Sequence, residues 1–294
     1  MFISIVIRTY NESLHLQELL SKIKEQNYPK EMIEVVIVDS GSTDNTLEIA
    51  KANDCNITHI KKEEFTFGKS LNIGCDYAKG DILVFVSGHC IPVNNEWLSE
   101  LIMPLKNGIA SYSYGRQIGS RETKFSEKQV FKKYYPEKSK VTQKDFFCNN
   151  ANAAILRSVW QKNRFCEKLT GLEDMDLAKR LIEQEMKMSY VANASVHHIH
   201  NESWQQIKTR YEREAVALQK IMPEIHISFI DFLRYFISAV FHDSLAAKNE
   251  SKVLYAIKEI VLFRFMHFWG AYKGNNDHKK TSSKTKDRYF YPKN

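Results

Sequence analysis

The sequence predicts an α/β protein: a Rossmann-like, mainly parallel sheet flanked by helices, followed by a helical C-terminal extension. Three observations predict it. Over residues 2–86, short runs of β-branched residues alternate with helical patterns, the signature of parallel strands joined by crossover helices. Polar segments follow the first, second and fourth of those runs, at the carboxyl ends of strands, where open parallel sheets bind ligands. Beyond Trp204 the patterning is wholly helical. A chain of 294 residues with 43% apolar and 26% charged residues suits one large domain with an appendage and excludes global disorder.

Taken in order, residues 2–8 (Phe-Ile-Ser-Ile-Val-Ile-Arg) read as a buried strand, and Leu16, Leu19, Leu20 and Ile23 mark one face of a helix. Residues 33–38 are a second strand, and Asp44 is placed to cap a helix running to residue 53. Residues 57–60 form a third, shorter strand. A helix follows Gly68 and ends before Gly80, and residues 81–86 are the fourth strand. Residues 109–115 pattern as a further strand, 116–145 as a long polar loop or lid, and 151–157 as a return to the apolar pattern. Residues 174–185 are helical, with Leu177, Leu181 and Ile182 on one face. Ile207, Tyr211, Ala215 and Leu218 stripe the first helix of the extension. Two more helices, over 229–247 and 251–272, are rich in Phe, Tyr and Trp. The expected division is 1–203 and 204–294.

The net charge of +7 is uneven. Residues 1–203 carry 26 basic and 26 acidic side chains, whereas 204–294 carry 16 basic and 9 acidic. A neutral body with a basic tail points to an anionic partner for the tail, such as a lipid headgroup or a polyphosphate-linked acceptor. The blander account makes Lys279, Lys280, Lys284, Lys286 and Arg288 a solvated terminus. Basic and aromatic residues do not interleave in the body, so nucleic acid is not an expected partner. Five cysteines, an odd number without a CxxC pair, argue against a disulfide scaffold or zinc ribbon and for a reducing compartment. No apolar run reaches the roughly 18 residues of a membrane span, and the N-terminus has no basic segment of a secretory signal. The expected location is cytoplasmic, with the aromatic and basic C-terminal helices available to an inner-membrane surface or to a homodimer.

Five constellations carry chemistry. Asp39-Ser40-Gly41-Ser42-Thr43-Asp44 sets a carboxylate and hydroxyls at a strand end, suited to a base or ribose or, equally, to an ordinary strand–turn–helix. It has neither P-loop nor three-glycine spacing. Around Phe67-Gly68-Lys69-Ser70-Leu71-Asn72-Ile73-Gly74, Lys69 can meet a phosphate and Asn72 a sugar or base. Gly74 marks a close helix–strand contact in the structural alternative. Ser87-Gly88-His89-Cys90 delivers an imidazole to a strand end, whereas Cys90 reads as a buried structural thiol. Glu173, Asp174 and Asp176 crowd three carboxylates at a helix start, which raises at least one pKa toward the range of a general base. In an extended segment, His198 and His200 share a face and can ligate a divalent cation or clamp a phosphate, although zinc would need more ligands.

In this order and spacing the segments resemble a family 2 glycosyltransferase of the GT-A fold. The resemblance spans roughly residues 2–205. It rests on Ile5-Val6-Ile7-Arg8-Thr9-Tyr10-Asn11-Glu12, Val36-Ile37-Val38-Asp39-Ser40-Gly41-Ser42-Thr43-Asp44, Asn72-Ile73-Gly74 with Ala78-Lys79-Gly80-Asp81, and Gly171-Leu172-Glu173-Asp174. The resemblance implies that Thr9, Asn11 and Glu12 line the nucleotide site and that Asp39, with Ser40 and Gly41, meets the base. It implies that Glu173-Asp174 supplies the catalytic base, with Asp174 the first choice, and that His198 or His200 completes a metal or diphosphate site. Where the family carries Asp-x-Asp for its cation, this chain has Ser87-Gly88-His89. Imidazole suits Mn²⁺ better than the harder Mg²⁺, so the departure bears on metal dependence. Leu71 also replaces an arginine often found before the Asn-x-Gly, leaving Lys69 as a substitute. The implied activity is inverting transfer from a nucleotide-sugar donor to a glycan or lipid-linked acceptor of a bacterial surface polysaccharide, capsule or lipopolysaccharide. Two rivals are a nucleotidyltransferase, which should show a glycine-rich loop near Arg8, and a non-catalytic sugar-nucleotide-binding relative.

Overall fold

The computed structural model describes residues 1–249, 253–277 and 283–291; Lys279 and Lys280 of the basic tail lie outside the described residues. The first compact unit comprises residues 1–120, 134–168 and 173–199. It begins with β1 (Ile3–Thr9), α1 (Ser13–Lys24), β2 (Ile33–Asp39), α2 (Thr46–Ala52), β3 (Asn56–His59), α3 (Phe67–Tyr77) and β4 (Ile82–Val86). These are the alternating elements expected from the pattern. β1 pairs in parallel with both β2 and β4, and β2 with β3, so Thr9 and Asp39 are register partners at the carboxyl edge.

The rest of the sheet is more mixed than the pattern implied. β5 (Cys90–Pro92), α4 (Trp97–Lys106), β6 (Tyr112–Gly119), β7 (Lys140–Gln143), β8 (Asn152–Leu156), α6 (Arg157–Lys162), α7 (Glu173–Glu183) and β9 (Met188–His198) complete the unit. The strand order is β3-β2-β1-β4-β8-β6-β9-β5, with β7 also on β9. β8 runs antiparallel to β4 and β6, and β5 and β7 antiparallel to β9. The core packs Ile5, Ile7, Leu16, Leu19, Ile37, Val84 and Trp97, each fully buried, between the sheet and its helices. Gly74 of α3 shows why some positions are small: a Cβ there would lie 2.4 Å from Val6 Cγ1 and 2.8 Å from Val38 Cγ2.

Three local expectations are corrected. The helix after the second strand starts at Thr46, and Asp44 instead accepts the Thr46 N–H from one position further out (3.0 Å). The strand expected over 109–115 is β6, because Gly108 (φ 66°) terminates α4 and Ile109 and Ala110 turn back onto Pro104 O. The expected lid over 116–145 contains the end of β6, α5 (Phe125–Tyr134) and β7. α5 escapes pattern reading because part of its buried face is polar: Ser126 and Glu127 are buried alongside Phe131.

The second compact unit comprises residues 121–133, 169–172 and 200–294. It is built on α8 (Trp204–Ile221), α9 (Phe229–Asn249), α10 (Val253–Asn275) and α11 (Ser283–Phe290). A capping box between Ser203 and Gln206 starts α8. Gly270 and Gly274 of α10 lie against α8, where a Cβ would meet Lys208 O at 2.4 Å and Glu212 O at 2.1 Å. Asp243 and Arg264, both buried, join α9 to α10 through a two-pronged ion pair at 2.7 and 2.9 Å. Arg288 pairs with Glu212, so this member of the basic tail is engaged. Among the described residues no helix is long and apolar enough to cross a membrane.

Candidate active site

The carboxyl ends of β1 and β2 are laced together. Asp39 is buried, and its Oδ1 accepts from Thr9 Oγ1 (3.0 Å) and Ser42 Oγ (2.5 Å). Its Oδ2 accepts the N–H groups of Gly41 and Ser42 at 2.9 Å each. Ser40 bonds back to Thr9 O through both its N–H and its hydroxyl. Gly41 has φ 95°, a conformation that favours glycine. Asn11 occupies the left-handed region (φ 57°), donates its N–H to Ser42 Oγ (2.9 Å) and accepts the Thr43 N–H on its side chain (2.8 Å). Asp39 therefore holds the turn with both oxygens, while Asn11 stands exposed beside it.

The Ser87-Gly88-His89 turn at the end of β4 meets the end of β1. Glu12 Oε1 lies 3.0 Å from His89 Nδ1, and because a carboxylate accepts, Nδ1 carries the proton. Gly88 makes room for this contact: a Cβ there would sit 2.9 Å from Glu12 Cγ. The His89 ring stacks on His198 at 5.2 Å, and His198 Nδ1 lies 2.6 Å from Gln117 Oε1. Both imidazoles thus have a side-chain oxygen at Nδ1, a contact that orients the rings as it does in metal-ligating histidines. One ligand nitrogen of His89 lies within 4.8 Å of one of His198, so these two are the unit's candidates to hold a divalent cation. His200 belongs to the second unit, where its Nδ1 lies 2.7 Å from Glu127 Oε1. Arg210 meets that same oxygen at 2.7 Å and also pairs with Glu202.

The acidic pair opens α7. Arg8 Nη1 lies 3.1 Å from Glu173 Oε1 and 3.3 Å from Phe67 O, and its guanidinium covers the Phe67 ring. Asp174 accepts the Asn150 N–H on Oδ2 (2.9 Å) and the Met175 N–H on Oδ1 (2.8 Å). Burial and then the neighbouring Glu173 charge push the Asp174 carboxyl up to about 7, against the opposing pull of the two backbone N–H groups and Arg8. Asn150 is itself held by Tyr112, whose hydroxyl donates to Asn150 Oδ1 (2.6 Å). Arg8, Asn150 and Gln117 are the contributors that sequence reasoning did not assign. Arg8 lies in the segment that ends the first strand, but nothing in the sequence pairs it with a residue so far along the chain.

Two expected ligand contacts are otherwise occupied. Asn72 is buried and spends its amide on Phe165 O, Glu167 Oε1, Trp160 Nε1 and the Phe165 N–H, fastening α3 to residues 160–167. Lys69 extends to Glu64 Oε2 (2.6 Å). Cys90 is buried, and burial drives its thiol pKa far up, as suits a structural thiol. The remaining groups form a closed circuit: Asp39 to Thr9, Arg8 to Glu173, Asp174 to Asn150, Ala151 O to the Ser87 N–H (3.3 Å), and His89 to Glu12. Strand tips distant in sequence thus surround one locus at the carboxyl edge of the sheet. A buried carboxylate of raised pKa and a stacked imidazole pair are both present there.

Residues 4–164 match the family described as Glycosyl transferase family 2. The chain is 28% identical over 215 residues to the O-antigen chain rhamnosyltransferase RfbN of Salmonella typhimurium, covering 68% of this chain and 67% of that protein. It is 32% identical over 200 residues to the O-antigen chain rhamnosyltransferase WbaN of Salmonella anatum, covering 64% and 62%. The chain thus spans about two thirds of these relatives, and somewhat less in the second case. Among solved structures it is similar to a mannosyltransferase from Pyrobaculum calidifontis in complex with GDP-Man and Mn²⁺ (TM-score 0.65, 17% identity, covering 94% and 88%). It is also similar to Staphylococcus aureus TarS in complex with UDP-GlcNAc (TM-score 0.58, 15% identity, covering 95% and 93%). At these identities the structural likeness speaks to the fold, which is GT-A.

Proposed function

We propose how this chain, which belongs to glycosyl transferase family 2, carries out its reaction. Members of that family are inverting glycosyltransferases that draw on nucleotide-sugar donors. Asp174 is the base here. Its carboxylate, pinned at both oxygens by backbone N–H groups and with a pKa of about 7, takes the proton of an acceptor hydroxyl. That oxygen attacks the anomeric carbon as the bond to the nucleoside diphosphate breaks, so configuration inverts in one displacement. Arg8 holds Glu173 so that the two acids do not compete for one proton. Asn11, exposed at the strand tips, faces the nucleotide, while Thr9 and Asp39 keep its turn in shape.

The leaving diphosphate develops charge, and stabilising it is the larger share of the task. His89 and His198 would hold a divalent cation, with Glu12 and Gln117 orienting the rings. A bound cation would supply neutralisation of that charge, and an imidazole donor set favours Mn²⁺ over Mg²⁺. The acceptor is a growing cell-surface glycan on a lipid carrier, a choice supported by the O-antigen relatives.

The single observation that carries the mechanism is the Asp174 carboxylate, buried, doubly anchored and raised in pKa beside an Arg-held partner. Asp174→Asn should lower transfer about 10²–10⁴-fold while donor binding, measured by calorimetry, persists. Normal transfer by that variant would remove Asp174 from the mechanism. A thermal-shift screen of UDP-, GDP-, dTDP- and CMP-sugars, each with Mn²⁺, Mg²⁺ or chelator, identifies the donor and the cation together.

A further inference from the structure

Helix α9 is apolar on two sides. One side packs Phe232, Asp243 and Ala247 into the second unit. The other leaves Ile230 (76% exposed), Leu233, Ile237 (63%), Phe241 (65%) and Leu245 in solvent, spaced three or four apart along a helix of about 30 Å. α10 adds a second exposed stripe at Ile257, Val261 and Phe265. Contiguous apolar surface of this kind marks an interaction face.

The charges decide its occupant. Arg234, Lys248 and Lys258 stand exposed on these helices. Of the acids on their described parts, Asp243 is ion-paired with Arg264, while Asp231, bonded to Ser228, and Glu259, accepting the Phe125 N–H, keep their charge but are outnumbered by these basic side chains. A second copy would bring like charges together across this face, whereas an anionic surface complements it. A cleft of about 440 Å³ opens on the flank of α9, lined by Tyr235, Ser238 and His242 together with Lys133 and the Asp243–Arg264 ion pair. Cationic and hydrogen-bonding groups therefore sit beside an apolar stripe, the polarity order of a phospholipid at a membrane surface.

We propose that the outward face of α9 docks in the plane of an anionic lipid surface, its apolar stripe entering the acyl boundary and headgroup phosphates entering the cleft beside it. No described helix can span a membrane, so the contact lies along the surface. The proposal concerns the second unit and stands apart from the transfer chemistry. Activity on a water-soluble acceptor reports on that chemistry without involving lipid.

The test is cosedimentation of the full chain with phosphatidylcholine vesicles, with and without phosphatidylglycerol. Binding should need phosphatidylglycerol and weaken as salt rises. The double variant Ile237→Glu, Phe241→Glu should lose about tenfold or more in vesicle affinity with helix content unchanged, since both side chains are mostly exposed. A second double variant, Arg234→Glu with Lys248→Glu, keeps the stripe and should lose the preference for phosphatidylglycerol. Equal binding to both vesicle types, absence of binding, or full-strength binding by the first variant would each overturn the proposal. So would a wild-type dimer in sedimentation velocity that the Ile237, Phe241 variant converts to monomer, because the face would then pair copies of the chain.

Discussion

The proposed base, Asp174, is the one side chain of the first unit whose acidity is shifted into the neutral range beside a second carboxylate. Its folded pKa of about 7 lies above the usual carboxylate value, and burial is the leading cause. The sign of the linkage follows: the stability associated with its protonated form is complete below about pH 4 and is lost as pH rises through about 7. The proposed role as base asks for the opposite form, so in that role the residue is ionised at a cost in stability. kcat/KM should therefore climb with pH and level off above an apparent pKa near 7. Removing the nearby cation with Arg8→Met should move that limb to higher pH, since Arg8 favours the ionised carboxylate. A limb that stays in place in this variant would belong to another group. At the imidazole pair, Glu12→Ala removes the acceptor that orients His89. Mn²⁺ affinity, read by calorimetry, should fall about 10–100-fold, whereas an unchanged value would detach His89 from the cation. These residue types were visible in the sequence at strand ends. Their partners were not, because Arg8 finds Glu173, and His198 finds Gln117, only after folding. Asn72 shows the converse: an amide beside a glycine reads as a ligand contact until its bonds to residues 160, 165 and 167 are seen.

Among the elements, α3 was legible because period and glycine agreed. Gly74 is small because β1 and β2 press on it through Val6 and Val38. Gly74→Ala must push the helix off the sheet, and urea denaturation should show a loss of about 1–3 kcal/mol, in keeping with overpacked cores. Wild-type stability in this variant would mean that α3 can shift without cost. β1, β2 and β4 were equally plain from their apolar runs, but β5 and β7 were not, being three and four residues long and carried by β9. α5 stayed hidden because Glu127 is buried by ion pairing, so hydrophobic periodicity has little there to report. The Gly270 and Gly274 pair passed unnoticed for a related reason. Aromatic residues dominate the composition of α10, and only the packed structure shows that its two glycines let it approach the α8 backbone.

At the scale of the whole molecule, the chain order of the two compact units differs from a simple cut after residue 203. The helical unit includes residues 121–133 and 169–172, which lie within the first two thirds of the sequence. Composition places a boundary near 203 because charge and aromatic content change there, but ion pairs recruit earlier segments. Glu127 makes the point: its carboxyl is held down at about 2 by Arg210 and His200, both beyond residue 199. Arg264 likewise reaches Ser126 O, and Glu259 accepts the Phe125 N–H. A fragment ending at residue 203 would keep Glu127 while losing Arg210, and would leave Phe125 without Glu259. Removing one partner from a buried ion pair costs about 3–5 kcal/mol, and the loss of the packed helices adds to it. The fragment should therefore melt well below the full chain by circular dichroism, or accumulate insoluble. Restoring Arg210 alone cannot repair it, because α8 needs the glycine face of α10 to pack. A fragment that melts at the temperature of the full chain, with its donor-dependent thermal shift intact, would show that residues 121–133 keep their conformation without the helices that hold them here.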